Sequence, residues 1–193
     1  MDKVLVSGWD ARVGQVSDAL RALGAEVVVS DDPHRLRQVV AELPPKSLSA
    51  YVQLPVSVDV SGETVVGRVR TFLQNGLLAR FDAADVVLPA LRGDAKVVLV
   101  SGNSTVQGEA MPDDAAARFA LLNVLAHAVR ADKAPGKIRV RMMDADSRPD
   151  DIASLTVRGE ATPTGLAQVK ERESELSYED WRTEVMGLAT IHV

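Results

Sequence analysis

The chain has 193 residues, of which 46% are hydrophobic and 25% charged, and its formal net charge is -5. These values are ordinary for one soluble globular domain, and the negative charge without a long basic tract disfavours nucleic acid as a partner. The lack of cysteine excludes disulfides, thiolate metal sites and a cysteine nucleophile. No apolar run approaches the roughly 20 residues that span a bilayer, and no signal peptide precedes the first predicted strand. We therefore expect a soluble cytoplasmic protein with no membrane partner.

Apolar and amphipathic segments alternate along the chain. Valine-rich apolar runs are typical of strands in a parallel sheet that is covered on both faces. They occur at Val4–Val6, Glu26–Ser30, Ala50–Leu54, Lys96–Val100, Ile138–Met143 and Ala189–Val193. Apolar residues at helical spacing predict helices between these runs. The helices are predicted at Gly14–Leu23, Pro33–Leu43, Thr64–Leu91 (one bent helix or two) and Asp113–Ala131.

This alternation predicts the fold class. We expect an α/β fold with a doubly wound, mostly parallel sheet and helices on both faces, in a single domain over residues 1–193. A polar stretch with several prolines and glycines lies at about residues 145–177. A connection of this length in a compact domain is usually a lid, an oligomer contact or partly disordered, so this segment is expected to be irregular.

The most informative local pattern is the turn between the first predicted strand and helix, Ser7-Gly8-Trp9-Asp10-Ala11-Arg12-Val13-Gly14. A glycine-rich turn of this kind lets the backbone approach a pyrophosphate at a helix N-terminus. Arg12 stands where the middle glycine would be, and its side chain crowds that space. The turn is therefore either a residual phosphate cradle, with Arg12 pairing with a phosphate, or a tight turn kept for packing. Trp9 could fill the emptied cleft or reach a partner surface.

Two carboxylates follow the second predicted strand. Asp31 or Asp32 could bind the ribose of an adenosine and would disfavour a 2′-phosphate. Alternatively, one of them caps the helix that begins at Pro33. The candidate cofactor-binding residues are Ser7, Gly8, Arg12, Val13, Gly14, Asp31 and Asp32.

The arrangement resembles the short-chain dehydrogenase/reductase family over nearly the whole chain. Ser7–Gly14 looks like the family's Thr-Gly-x-x-x-Gly-x-Gly turn, and Leu73–Leu91 looks like its long helix with an early asparagine and a Leu-Pro-x-Leu end. The later matches are Asp94–Ser101 with the strand before the catalytic serine, Ala116–Asp132 with the lysine helix, and Gly136–Val140 and Gly187–Val193 with later strands. The resemblance implies a Rossmann-like fold. It is shortened by one strand–helix unit, because only one helix separates the second and third predicted strands.

Members of that family move a hydride between a nicotinamide and a carbonyl or alcohol, with a tyrosine, a lysine, a serine and an asparagine. The resemblance places Asn75 at the asparagine, Ser101 and Ser104 beside the serine position, Asp114 at the tyrosine and Arg118 at the lysine. No Tyr-x-x-x-Lys sequence occurs anywhere in the chain. An aspartate has a reference pKa near ~4 against ~10 for a tyrosine, so it is ionised at neutral pH and a poor proton donor.

These departures lead to the expectation of a non-catalytic or impaired protein. It would act as a homo-oligomeric subunit or as the partner of an active paralogue, through the helices at 64–91 and 113–131 that the family's oligomers imply. The alternatives are an atypical NAD(P)-dependent oxidoreductase and a small-molecule-binding regulatory module. The expected cofactor is none, or weakly bound NAD(P). The three histidines show no ligand spacing, so no metal is expected.

Overall fold

The computed structural model of the chain describes residues 2–8, 12–55, 63–102, 105–106, 109–110, 112–132 and 138–159. Its strands are β1 (Lys3–Ser7), β2 (Glu26–Ser30), β3 (Leu48–Gln53), β4 (Leu91–Val100), β5 (Thr105–Val106), β6 (Glu109–Ala110) and β7 (Arg139–Met143). Its α-helices are α1 (Arg12–Ala22), α2 (Pro33–Ala41), α3 (Val65–Phe72), α4 (Ala79–Val87), α5 (Pro112–Asp132) and α6 (Pro149–Arg158).

One parallel sheet organises these elements. Five strands pair in the order β2-β1-β3-β4-β7, every pair is parallel, and β5 and β6 form a separate antiparallel pair. The predicted α/β doubly wound fold is confirmed. Only α2 connects β2 to β3, and β2 lies at the edge of the sheet.

The order of the strands decides which face each helix covers. The chain moves from β1 to one edge at β2, and then passes back over β1 to β3. Crossovers between parallel strands are almost always right-handed, so reversing the direction puts the connecting helix on the opposite face. Accordingly, α1 and α6 contact each other on one face, whereas α2, α4 and α5 contribute to the core on the other face.

Alternation along the strands supplies both cores. On the α2–α4–α5 face, Leu5 and Tyr51 pair in register and pack with residues of the three helices. On the α1–α6 face, Val6 and Val52 pair in register and are fully buried. Both faces of the central strands are thus covered, which explains why their sequences read as continuous apolar runs.

The long helix predicted over Thr64–Leu91 is interrupted. A π-helical segment, Leu73–Leu78, separates α3 from α4, and a 3-10 turn follows α4. The end at Leu91 was wrong, because Leu91 is extended, pairs with Leu48 and begins β4. Proline has no backbone N–H for a continuing helix, and Pro89 lies in the intervening turn.

The irregular segment predicted at 145–177 contains a helix that the sequence analysis missed. Pro149 occupies the first turn of α6, and Gly159 ends the helix with φ 79°. The buried residues of α6 recur at helical spacing, at Ile152, Ala153, Leu155 and Thr156. Residues 160–177 and the strand predicted at Ala189–Val193 lie outside the described residues, so the single domain over 1–193 stays a prediction.

None of the helices in the described ranges combines the length and the apolar character that crossing a membrane requires. Within the same ranges, no three histidine, aspartate or glutamate side chains are grouped so that they could hold a metal ion.

Candidate functional site at the carboxyl edge of the sheet

The sheet topology marks one crevice. The connection that leaves β1 leads to β2 on one side, and the connection that leaves β3 leads to β4 on the other side, so the two strands flank a topological switch point. In open α/β sheets, ligands bind outside the carboxyl ends of the strands at such a point. Ser7 and Gly8 stand at this end of β1, and Gln53 and Leu54 stand at this end of β3.

Gly8 is required by a close approach of the chain to itself. Its φ is +150°, and a Cβ placed on it would lie 2.8 Å from the Cβ of Leu54. The Leu54 N–H donates to the Ser7 carbonyl over 2.8 Å, which fixes this approach. The first glycine of the turn therefore allows a tight contact between the ends of β1 and β3, which is a packing role and does not involve a ligand.

Gly14 and Val13 stand in α1, just after the turn. The last glycine of a dinucleotide-binding turn normally allows close packing of the helix on its strand. Here Gly14 is exposed, and a Cβ placed on it would meet nothing within 4 Å. Val13 is buried beneath the helix. The packing role of the third glycine is thus not used in this chain.

Arg12 bridges two parts of the crevice. It is the first residue of α1 and is half-buried, and its guanidinium donates hydrogen bonds to the carbonyls of Ala145 and Ser147. Both carbonyls belong to the turn between β7 and α6. The planar fork of a guanidinium suits two oxygens at once. The side chain that removes the middle glycine therefore joins the start of α1 to the turn after β7.

A buried polar network lies behind the crevice, and the sequence analysis missed it. The Ser7 Oγ and the Tyr51 hydroxyl are 2.8 Å apart, and the Gln53 amide donates to the Tyr51 hydroxyl over 3.2 Å. Arg80 of α4 donates from Nε to the Gln53 Oε1 over 2.9 Å. In return, the Gln53 amide donates to the Arg80 carbonyl over 2.9 Å.

The network holds a tyrosine that stays protonated. Burial raises the pKa of Tyr51, and the hydrogen bonds from Ser7 and Gln53 and the charge of Arg80 offset only part of that rise. With 1% of its surface exposed, Tyr51 is a structural group and is not accessible to a substrate. The strand register could have signalled the Ser7–Tyr51–Gln53 cluster. Every second residue of a strand lies on the same face, and Ser7 pairs with Gln53, two residues after Tyr51. No sequence pattern pointed to Arg80.

The two carboxylates after β2 differ in their surroundings. Asp32 is the N-cap of α2, and its Oδ1 accepts a hydrogen bond from the His34 N–H over 2.9 Å. The helix-capping alternative is therefore confirmed for Asp32. Asp31 is exposed.

The predicted catalytic positions do not gather around one described point. Asn75 is exposed on the π-helical segment, whereas Ser101 is buried just after β4, with its N–H donating to the Met143 carbonyl over 2.8 Å. Asp114 and Arg118 belong to α5, and the positions of their side chains lie outside the description. Ser104 and Trp9 lie outside the described residues.

Solved structures share this fold. A mutant of a short-chain dehydrogenase/reductase from Serratia marcescens has a TM-score of 0.59 at 14% identity, covering 83% of this chain and 90% of that one. A small-chain dehydrogenase gives 0.57 at 16% identity, covering 79% of this chain and 87% of that one. The protein lin1944 from Listeria innocua gives 0.54 at 16% identity, covering 75% of this chain and 77% of that one.

No protein-family model matches the sequence, and no curated protein matches it. The chain therefore has a Rossmann-like fold similar to that of short-chain dehydrogenase/reductase structures. At identities this low, the likeness establishes the fold alone.

Proposed function

We propose that this chain is a catalytically impaired protein with the short-chain dehydrogenase/reductase fold, and that it acts as an oligomeric subunit or as the partner of an active dehydrogenase. The observation that carries the proposal is the Arg12 bridge, which occupies the guanidinium at the start of α1 with the carbonyls of Ala145 and Ser147. The absence of a Tyr-x-x-x-Lys sequence supports it. General acid–base catalysis contributes roughly 10²–10⁴ in rate, so losing the acid and the lysine together leaves little hydride transfer.

One described residue of the crevice departs from what a dinucleotide needs. A middle glycine would let the backbone approach the pyrophosphate. The middle position of the turn carries the guanidinium of Arg12, whose hydrogen bonds reach neutral carbonyls of the same chain. We therefore derive no reaction step through NAD(P) and propose that the chain binds it weakly or not at all.

An exposed apolar surface supports the proposed role as a subunit. Val66, Leu73 and Leu78 are 78%, 42% and 55% exposed, and all three lie on α3 or the π-helical segment. Large apolar side chains grouped on one stretch of surface are typical of protein–protein contacts. The segment belongs to the helix at 64–91 through which the family resemblance implies association.

The charges beside this surface favour a two-fold pairing of two copies. In an isologous contact the same patch meets itself. Arg70 and Asp82 are both exposed and carry opposite charges on the two sides of Leu73 and Leu78, which suits an antiparallel pairing of two copies.

Two assays on the purified chain test the proposal. Oxidation of NADH and NADPH is followed with a panel of ketones and aldehydes, and the mass in solution is measured at micromolar concentration. We expect turnover no faster than the reaction without protein, together with a mass above that of the monomer. Ketone reduction at rates normal for dehydrogenases would overturn the catalytic part. A monomer that also fails to bind any dehydrogenase paralogue encoded with it would overturn the subunit part.

A further inference from the structure

The turn between β7 and α6 leads into a helix that has no side-chain cap at its start. The Ser147 N–H donates to the Asp144 carbonyl over 3.1 Å, which closes the turn. Arg148 is the N-cap of α6, in an extended conformation, and its side chain makes no capping hydrogen bond. Helix starts are normally stabilised by a Ser, Thr, Asp or Asn side chain at this position. No side chain at the N-cap position therefore holds the start of α6.

Arg12 holds the turn that leads into this helix, although as a donor it does not cap the N–H groups of α6. Its guanidinium holds the carbonyls of Ala145 and Ser147, which stand on the approach to Pro149, the first residue of α6. A charged donor makes stronger hydrogen bonds than a neutral one. Because Arg12 is itself the first residue of α1, one side chain ties the starts of two helices together at the carboxyl edge of the sheet.

The far end of α6 has an anchor of its own. The Lys96 Nζ, from β4, donates to the Val157 carbonyl in the last turn of α6 over 2.5 Å. A cation at a helix C-terminus satisfies a carbonyl that has no intrahelical partner and complements the helix dipole. The two ends of α6 are thus held by cations from different elements, and the two contacts can be removed separately.

We propose that Arg12 is a built-in strap that ties the turn at 144–148 to the start of α1. The inference rests on the proposed function and deepens it, because it gives a structural role to the residue that stands in place of the middle glycine.

Hydrogen–deuterium exchange on the full chain tests the strap. The variant is Arg12→Ala, which retains a good helix former at the first position of α1. We expect the backbone amides of residues 144–148 and 150–152 to exchange about tenfold faster or more, since the hydrogen bonds from a charged donor that hold the turn are lost. Exchange in β1, β3 and β4 should stay at the wild-type rate. The matched control, Lys96→Met, should accelerate exchange only near the C-terminal end of α6.

Ethylguanidinium at low millimolar concentration provides a second readout. It should slow exchange at 144–152 in Arg12→Ala, because it can occupy the space that the guanidinium leaves, whereas sodium chloride at the same concentration should not. Wild-type exchange at 144–152 in Arg12→Ala would overturn the strap. So would an acceleration spread evenly over the strands, which indicates general destabilisation.

If Arg12→Ala does not fold, Arg12→Lys carries the same test. An ammonium donates as a point charge and lacks the planar fork, so a smaller acceleration confined to 144–152 is expected. Wild-type exchange there would overturn the strap. Such a failure is distinct from failure of the proposed function, which is judged on turnover and mass of the wild-type chain.

Discussion

Two regions of the molecule differ in whether their side chains find partners within the chain. At the carboxyl edge of the sheet, polar groups are satisfied within the chain, as Arg12 reaches two carbonyls and Tyr51 reaches Ser7 and Gln53. On α3 and the π-helical segment, large apolar side chains such as Val66 and Leu78 remain exposed. A polar site whose donors are already used internally has little left for a ligand, whereas exposed apolar surface is stabilised by covering it. The proposed role as a subunit rests on this difference between the two regions.

Substituting the two glycines of the first turn gives the sharpest test of the packing at the carboxyl edge of the sheet. Gly8→Ala is expected to destabilise the fold by about 2–4 kcal/mol, because a Cβ there would lie 2.8 Å from the Leu54 Cβ and the φ of +150° disfavours any side chain. Chemical denaturation of purified protein measures the effect. Gly14→Ala is the matched control and should be neutral or stabilising by up to about 1 kcal/mol, because its Cβ would meet no atom within 4 Å. Equal effects would contradict the packing assigned to Gly8.

Removing one hydroxyl tests the polar network. Tyr51→Phe leaves the Ser7 Oγ and the Gln53 amide without one buried partner, and we expect a loss of about 1–3 kcal/mol in unfolding free energy. Denaturant titration of the two proteins at neutral pH measures it. A stability equal to the wild type would show that these hydrogen bonds contribute nothing net.

The same variant makes a pH prediction. The pKa of Tyr51 is raised above 10.0 in the fold, so between the unfolded and folded values the folded chain keeps a proton that the unfolded chain has lost. Its contribution is present below pH ~10 and is lost as the pH rises through the folded pKa. The stability difference between wild type and Tyr51→Phe should shrink above pH ~10. A difference that grows with pH there would contradict the burial of this hydroxyl.

A charge on the exposed region tests its role as an interface. Leu78→Glu is expected to weaken self-association at least tenfold, which is about 1.4 kcal/mol, without lowering the stability of the monomer, because Leu78 is 55% exposed. Sedimentation over a concentration series measures the dissociation constant. The control Gln38→Glu adds the same charge at an exposed site on α2 and should leave association unchanged. Identical dissociation constants for both variants would place the interface elsewhere.

Local patterns predicted the regular part of the fold well. The runs at Val4–Val6 and Glu26–Ser30 lie in β1 and β2, and the helix predicted from Pro33 begins there. These elements follow from apolar periodicity and a proline at a helix start, which are local properties. The helix α6 was hidden because the polar residues and prolines around it indicated a loop, although its buried positions recur at helical spacing.

The site was less accessible to sequence reasoning, because its contacts are distant in the chain. Arg12 was identified as the anomaly of the turn, but its acceptors at Ala145 and Ser147 lie more than 130 residues away. The Ser7–Tyr51 hydrogen bond spans 44 residues and depends on the register of two parallel strands. The sequence identified which residues depart from the family's pattern, and only the three-dimensional arrangement showed what Arg12 contacts.

Isothermal titration calorimetry of the wild-type chain with NADH and with NADPH tests most directly whether the crevice binds a dinucleotide. The account predicts no binding heat up to millimolar cofactor, because Arg12 stands where a glycine would let the backbone approach the pyrophosphate, and its guanidinium is held by Ala145 and Ser147. A saturable isotherm with a micromolar dissociation constant for either nucleotide would contradict it.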